Sequence, residues 1–246
     1  MKNIGIVCEG PTDRVILEYV IDKITGEENQ YYPLQPEDDL TGRFGNGWKG
    51  IWKWSLDHAL ILEQFMKEVT PQLDIIVIQM DGDVARKEKE VHCQCELTYC
   101  EGKNIINPLD CEKLKRGKCP VILPCKNHEP SINGYIEHLT SMITSWLGSK
   151  KDEICIVIPC DSTEAWVIAA YDERADAEQI EAPWENVISK GKMYHEIRIP
   201  GHKKRCVIYR EFAEEICRKW ECVKKLCISA AQFEDAIKRK LGELHT

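Results

Sequence analysis

The chain has 246 residues, 43% of them hydrophobic, which is enough for an ordinary buried core and excludes global disorder. Its formal net charge of −8 argues against nucleic-acid binding as a bulk property, because phosphate contacts need Lys and Arg. No apolar run is long enough for a transmembrane helix, and Glu9 and Asp13 interrupt any signal-peptide pattern, so a cytoplasmic protein without a membrane partner is expected.

The first element is strand-like. Asn3-Ile4-Gly5-Ile6-Val7-Cys8 stops at Glu9, followed by Gly10-Pro11-Thr12-Asp13 punctuation and an apolar helical stretch over 14–21. Thr12 or Asp13 is the expected cap of that helix. Residues 26–50 read as loop, with Gly42, Gly45, Gly47 and Gly50, and with Trp48, Trp52 and Trp54 at its end. Helical spacing then runs through 51–69. The tryptophans are expected to pack, although Arg43 and Trp48 would contact a nucleotide if the loop covered a site.

Residues 74–81 form the second predicted strand, a β-branched run of the kind found in buried parallel sheets, which ends in Asp81-Gly82-Asp83. Residues 84–119 fit neither sheet nor helix, and 120–125 read as a short edge strand because of Pro120 and Pro124. A helix is predicted over 131–147, with Ser131 as its cap. The third strand, 154–160, leads to Asp161-Ser162-Thr163-Glu164 and a helix, with Ser162 and Thr163 as capping residues. Residues 173–206 are mixed, and 208–221 and 230–243 are two closing amphipathic helices. There is no internal repeat.

Parallel sheets place their chemistry beyond the carboxyl ends of the strands. Glu9, Asp81, Asp83 and Glu164 stand at three such ends. If the strands are neighbours, these like charges repel by several kcal/mol at low effective dielectric, and a hard divalent cation, Mg2+ or Mn2+, is the ordinary remedy.

Six of the thirteen cysteines, Cys93, Cys95, Cys100, Cys111, Cys119 and Cys125, fall together with His92 and His128 beside them. In a reducing compartment the open readings are a closed structural Zn2+ site and free thiols, with disulfides the least favoured. The spacing holds one C-x-C and no C-x-x-C. Cys8, Cys155 and Cys160 lie in apolar runs and Cys217 and Cys222 in predicted helices, where free cysteine behaves as a small hydrophobe. A nucleophilic Cys8 or Cys160 is disfavoured because nearby carboxylates raise a thiol's pKa. His195 and His202 are expected to be ordinary surface histidines. Basic residues cluster at Lys113, Lys115, Arg116 and Lys118, and at Lys203, Lys204 and Arg205 after the Pro200-Gly201 turn; the second group is the better phosphate-facing candidate.

The pattern strand, Glu-Gly-x-Thr-Asp, helix, then strand with Asp-x-Asp resembles the Toprim domain, shared by topoisomerases, bacterial primases and nucleases of the OLD (overcoming lysogenization defect) type. The stretch Ile158-Pro159-Cys160-Asp161-Ser162-Thr163-Glu164-Ala165-Trp166 resembles more narrowly the stand-alone Toprim-like proteins of the DUF4276 type, which often sit beside ATPases in bacterial anti-phage defence loci. The resemblance covers 3–22, 74–84 and 154–170. It implies an α/β fold, a Toprim-like mostly parallel sheet flanked by helices, forming a single domain over 1–246 with a Cys-rich insertion at about 86–128 and C-terminal helices. It implies catalytic and metal-binding roles for Glu9, Asp81, Asp83 and Glu164. The implied activity is a metal-dependent nuclease cleaving DNA or RNA, working with an ATPase partner in anti-phage defence; homo-oligomer formation stays open. The Glu9–Asp81 separation exceeds a minimal Toprim unit, so an insertion is implied. No lysine follows Glu9 directly, and Arg14 is the nearest base, so Arg14, Lys203 and Lys204 are the substrate-binding candidates.

Two alternatives stand beside this. A haloacid-dehalogenase-like phosphatase also uses Asp-x-Asp after a strand, with the first Asp as nucleophile, but leaves Glu9 without a role. A non-catalytic regulated subunit of an ATPase complex would use its acids only to bind a metal or ligand. The chain has no Gly-x-x-x-x-Gly-Lys-Ser/Thr loop of its own.

Overall fold

A computed structural model describes residues 1–36, 45, 47–86, 131–149 and 151–241. The six clustered cysteines, the 120–125 strand and the Lys113–Lys118 basic group lie outside the described residues. No helix among those described is long and apolar enough to cross a membrane.

The protein is α/β. Its four-stranded sheet is wholly parallel, in the order β2-β1-β3-β4. The strands are β1 (Asn3–Val7), β2 (Gln30–Gln35), β3 (Ile75–Gln79) and β4 (Ile154–Val157). Alternation along the two central strands divides the core. Ile4, Ile6, Ile75 and Val77 face one layer, and Val7, Ile76 and Ile78 face the other. Both faces are covered, as an all-parallel sheet requires.

The first layer is built by α1 (Pro11–Thr25) and by elements from the second half of the chain. The second layer is built by α2 (Trp48–His58), α3 (Leu62–Glu68) and the helix after the next two short elements. In chain order, α4 is Asp83–Arg86, α5 is Ile132–Trp146 and α6 is Glu164–Asp172. They are followed by α7 (Pro183–Ser189), a two-stranded hairpin of β5 (Met193–Tyr194) and β6 (Ile197–Arg198), then α8 (Cys206–Arg218), α9 (Trp220–Leu226) and α10 (Ile228–Lys240). Glu164 through Ala170 are all buried, and α6 packs against α7, α8 and α9. Trp166 is fully buried there, donates to Ser229 Oγ at 2.8 Å and contacts Trp220 and Phe233.

Ser131 caps α5 as expected, accepting from the Gly134 amide at 3.2 Å. Four expectations need correction. The 26–50 stretch contains β2, whose Pro33 pairs opposite Ile6 on an edge strand, where a missing N–H is tolerated. The helix expected over 51–69 is two helices, broken at 59–61. Neither Thr12 nor Asp13 caps α1; Gly10 occupies the cap position and Pro11 opens the helix. Thr163 stands at the cap position of α6 without a side-chain capping bond.

Candidate functional site at the carboxyl edge of the sheet

The strand order reverses direction beside β1. The chain steps from β1 outward to β2, then returns to β3 on the other side. Such a switch point opens a crevice at the carboxyl ends of the strands, and Glu9 and Asp81 stand on its two sides.

Their geometry is set by Gln79, the last residue of β3, which is fully buried. The Glu9 N–H donates to Gln79 Oε1 at 3.1 Å, while Gln79 Nε2 donates to Asp81 Oδ1 at 2.7 Å. The Asp81 N–H in turn donates to Glu9 Oε1 at 2.9 Å. One buried amide therefore clamps the ends of two adjacent strands. Gly82 permits the next approach: a Cβ there would lie 2.7 Å from Cys160 Sγ and 3.0 Å from the Pro159 carbonyl. The Gly82 and Asp83 amides donate to the carbonyls of Pro159 at 2.8 Å and Asp161 at 2.9 Å, tying the end of β3 to the loop after β4.

Two further acids come from the helices that follow β1 and β4. Asp13, in the first turn of α1, accepts from Thr163 Oγ at 2.7 Å. Glu164, the first residue of α6, accepts from the Ser162 and Tyr209 hydroxyls and pairs with Lys204 Nζ at 2.7 Å. Lys204 lies on the segment before α8, and its ammonium also faces the Trp184 ring at 5.8 Å from the centroid.

The electrostatics follow from crowding. Desolvation and the Asp83 carboxylate push Glu9 up to about 8. Burial and Glu164 push Asp13 up to about 6. Desolvation and Glu9 hold Asp81 well above the usual carboxylate range. Burial opposes ionisation of Glu164 too, but the Lys204 ammonium outweighs it and holds Glu164 below its ordinary value. Burial works against a charged Lys204, yet Glu164, Asp81 and Asp13 keep it firmly protonated. Burial and Glu164 raise the Tyr209 phenol, so it remains a donor.

The structure thus brings Glu9, Asp81, Asp83 and Glu164 to one edge, with Lys204 among them. Arg14 instead lies along α1, 3.6 Å from Glu18, and Lys203 is exposed. Sequence reasoning took Asp13 and Thr163 for caps and gave Gln79 and Tyr209 no role. Asp13 had a signal, since it sits in the quoted Glu-Gly-x-Thr-Asp run, in the first turn of the helix that follows Glu9. Among the described residues, no three His, Cys, Asp or Glu side chains are drawn into a ready-made metal cage. Both Glu164 oxygens are already engaged.

Cys8 and Cys160 are buried; burial first and Asp13 second push the Cys8 thiol well up, and its Sγ donates to the Gly10 carbonyl at 3.2 Å. His195 pairs with Asp172 at the far end of α6, and His202 is exposed. Trp48 and Trp54 are core residues.

Comparison with family models, with curated proteins and with solved structures returned no match.

Proposed function

We propose that this chain is a metal-dependent phosphodiesterase of the Toprim type, acting on nucleic acid. The observation that carries this reading is the convergence of Glu9, Asp13, Asp81, Asp83 and Glu164 at the switch point of a parallel sheet. Carboxylate oxygens are the donors that Mg2+ and Mn2+ prefer, and Glu9, Asp13 and Asp81 are raised first by burial and then by the charge of neighbouring carboxylates, two costs that a bound cation would offset. By donor chemistry the set suits such an ion, which would draw Glu9, Asp81 and Asp83 together as the holding residues, with Asp13 and Glu164 beside them.

A bound divalent cation would activate a water and neutralise charge building on the phosphodiester. The protein's own contribution is positional. Gln79 fixes the separation of Glu9 and Asp81, so both approach a substrate from rigid strand ends. The Lys204 ammonium supplies fixed positive charge beside the acids, suited to a phosphoryl oxygen. Tyr209 and Ser162 hold Glu164 in one orientation. The haloacid-dehalogenase reading gives Glu9 no part, although Glu9 is hydrogen-bonded to the Asp81 amide. A defence role with an ATPase partner draws its support from the family resemblance.

The test is cleavage of plasmid DNA and of total RNA by the purified chain, with and without Mg2+ or Mn2+, alone and with any ATPase that co-purifies with it. Cleavage that needs the metal and disappears in Asp81→Ala supports the reading. No cleavage under any of these conditions favours the non-catalytic subunit.

A further inference from the structure

On the β2 side of Glu9 the chain carries a second feature, which the acids do not use. Gly45, Gly47 and Gly50 form a Gly-x-Gly-x-x-Gly spacing that opens α2 after the long connection from β2. The Gly47 amide donates to the Glu9 carbonyl at 2.9 Å, so the amino end of α2 sits at the same sheet edge as the acids. No side chain caps α2 and no acid occupies its first turn. The first amides of a helix have no intrahelical carbonyl and concentrate the positive end of its dipole.

Gly45 and Gly47 fit an approach by a ligand. Gly47 has φ 72, a conformation that strains any side chain, and a Cβ there would enter the space 3.6 Å from Glu9 Oε2. Gly45 has φ 82 and open space where its Cβ would be. A Cβ on Gly50 would lie 2.2 Å from Gln35 Nε2 and 2.6 Å from the Gly45 carbonyl, so the Gln35 amide packs against the start of α2. Gln35 is only 1% exposed; its Nε2 donates to the Gly45 carbonyl, and its Oε1 is buried without a hydrogen-bond partner. An acceptor buried in that state calls for a donor. Lys49, in the first turn, adds a cation, held against the Trp48 ring at 5.7 Å.

We propose that Gly45, Gly47, the amino end of α2 and Lys49 bind a phosphate of a nucleotide chain beside Glu9, with Gln35 Oε1 accepting from a hydroxyl or N–H of the same nucleotide. The choice of a nucleotide chain over a free phosphate rests on the phosphodiesterase reading. Phosphate recognition by a glycine turn and a helix amino end is general chemistry. Here it holds the phosphate that neighbours the bond facing Asp81.

The experiment measures fluorescence anisotropy of a short labelled oligothymidylate and its oligouridylate counterpart, with Ca2+ present to hold off turnover, competed by inorganic phosphate. Lys49→Glu and Gly47→Ala are compared with wild type, and Mn2+ binding is followed in parallel by electron paramagnetic resonance. The expected result is at least about a tenfold loss of affinity in Lys49→Glu, with the salt slope reduced by about 1. Gly47→Ala should lose affinity as well, while Mn2+ binding by Lys49→Glu stays as in wild type. Oligouridylate bound more tightly than oligothymidylate, with Gln35→Leu erasing the difference, identifies the hydroxyl partner as the ribose. Competition by inorganic phosphate at concentrations similar to the oligonucleotide would replace the nucleotide chain by free phosphate and overturn the proposal. Wild-type affinity and salt slope in Lys49→Glu would also overturn it, even if Gly47→Ala fails to fold. An oligonucleotide that binds through Lys49 to a protein that takes up no Mn2+ and cleaves nothing would sink the phosphodiesterase reading and leave this site standing.

Discussion

The Asp81 amide donates to the Glu9 carboxylate at 2.9 Å across 72 positions of sequence. That one bond joins the ends of β1 and β3 at the reversal of strand order, and Glu9 Oε2 lies 3.6 Å from where a Cβ on Gly47 would stand. The two acids are therefore one unit, and replacing either one alters the other.

Asp81→Ala removes an acid and the acceptor of Gln79 Nε2, and Glu9→Gln keeps the acceptor for the Asp81 amide while removing the charge. Both should reduce metal-dependent cleavage by at least about a hundredfold, the scale expected when a group acting on developing charge is lost. Melting temperature separates them. Glu9→Gln should match or exceed wild type without metal, because it removes a repelled charge. Asp81→Ala should melt lower, because it leaves a buried amide donor unpaired. Equal melting temperatures for the two would contradict the clamp.

The acid edge also sets a pH dependence. Glu9 is raised from 4.5 to about 8 and Asp13 from 3.8 to about 6. The folded protein binds these protons more tightly than the unfolded chain, so their contribution is complete below about pH 4 and is lost as pH rises through 6 and then 8. Glu164, held low by Lys204, acts in the opposite sense and loses its contribution as pH falls through the ordinary carboxylate range. Metal-free protein should be most stable near pH 5 and weaken toward pH 8.5, by denaturant titration. Mg2+ should recover stability at the alkaline end and bind more tightly there. Glu9→Gln should flatten the alkaline limb; an unchanged limb would mean that Glu9 is not the titrating group.

The parts of this fold that depend on short-range chemistry were legible in the sequence. β3 and β4 are buried on both faces and read as β-branched runs, and Ser131 is a cap of ordinary type. The parts that depend on partners far along the chain were not. β2 reads Gln-Tyr-Tyr-Pro-Leu-Gln, with neither alternation nor a continuous apolar run, because most of it is only half-buried and little apolar area is required of it. The break between α2 and α3 was hidden by Leu56, Leu60 and Ile61, which extend the apolar spacing although they are exposed. Thr163 meets Asp13 across 150 positions, and no local pattern encodes that bond. The convergence of Glu9 with Asp81 was legible, because strand ends in a parallel sheet share an edge.

Lys204→Met tests the charge balance. The Lys204 side chain is about two-fifths exposed while that of Glu164 is fully buried, so solvent replaces part of what is lost. The stability cost should stay below the ~3 kcal/mol typical of breaking a fully buried pair. Two readouts should move in opposite directions. Mn2+ should bind more tightly, since a repelling cation has gone, while kcat should fall at least about tenfold, because positive charge beside the phosphoryl group has gone. A parallel fall in metal affinity and kcat would make Lys204 only a structural partner of Glu164.

Gly82→Ala probes the approach of β3 to the loop after β4 without touching any charge. The added methyl would press on Cys160 Sγ at 2.7 Å and on the Pro159 carbonyl at 3.0 Å, and the latter is backbone that cannot rotate away. Overpacking of this kind costs roughly 1–3 kcal/mol. The strain falls on the bonds from the Gly82 and Asp83 amides to Pro159 and Asp161, so Asp83 should be displaced relative to Glu9. Cleavage should drop together with stability, and Gly82→Ala combined with Cys160→Ala should recover only part of either, because the carbonyl contact remains. Full recovery in the double variant would assign the whole constraint to the sulfur and remove the backbone from the account of how Asp83 is held.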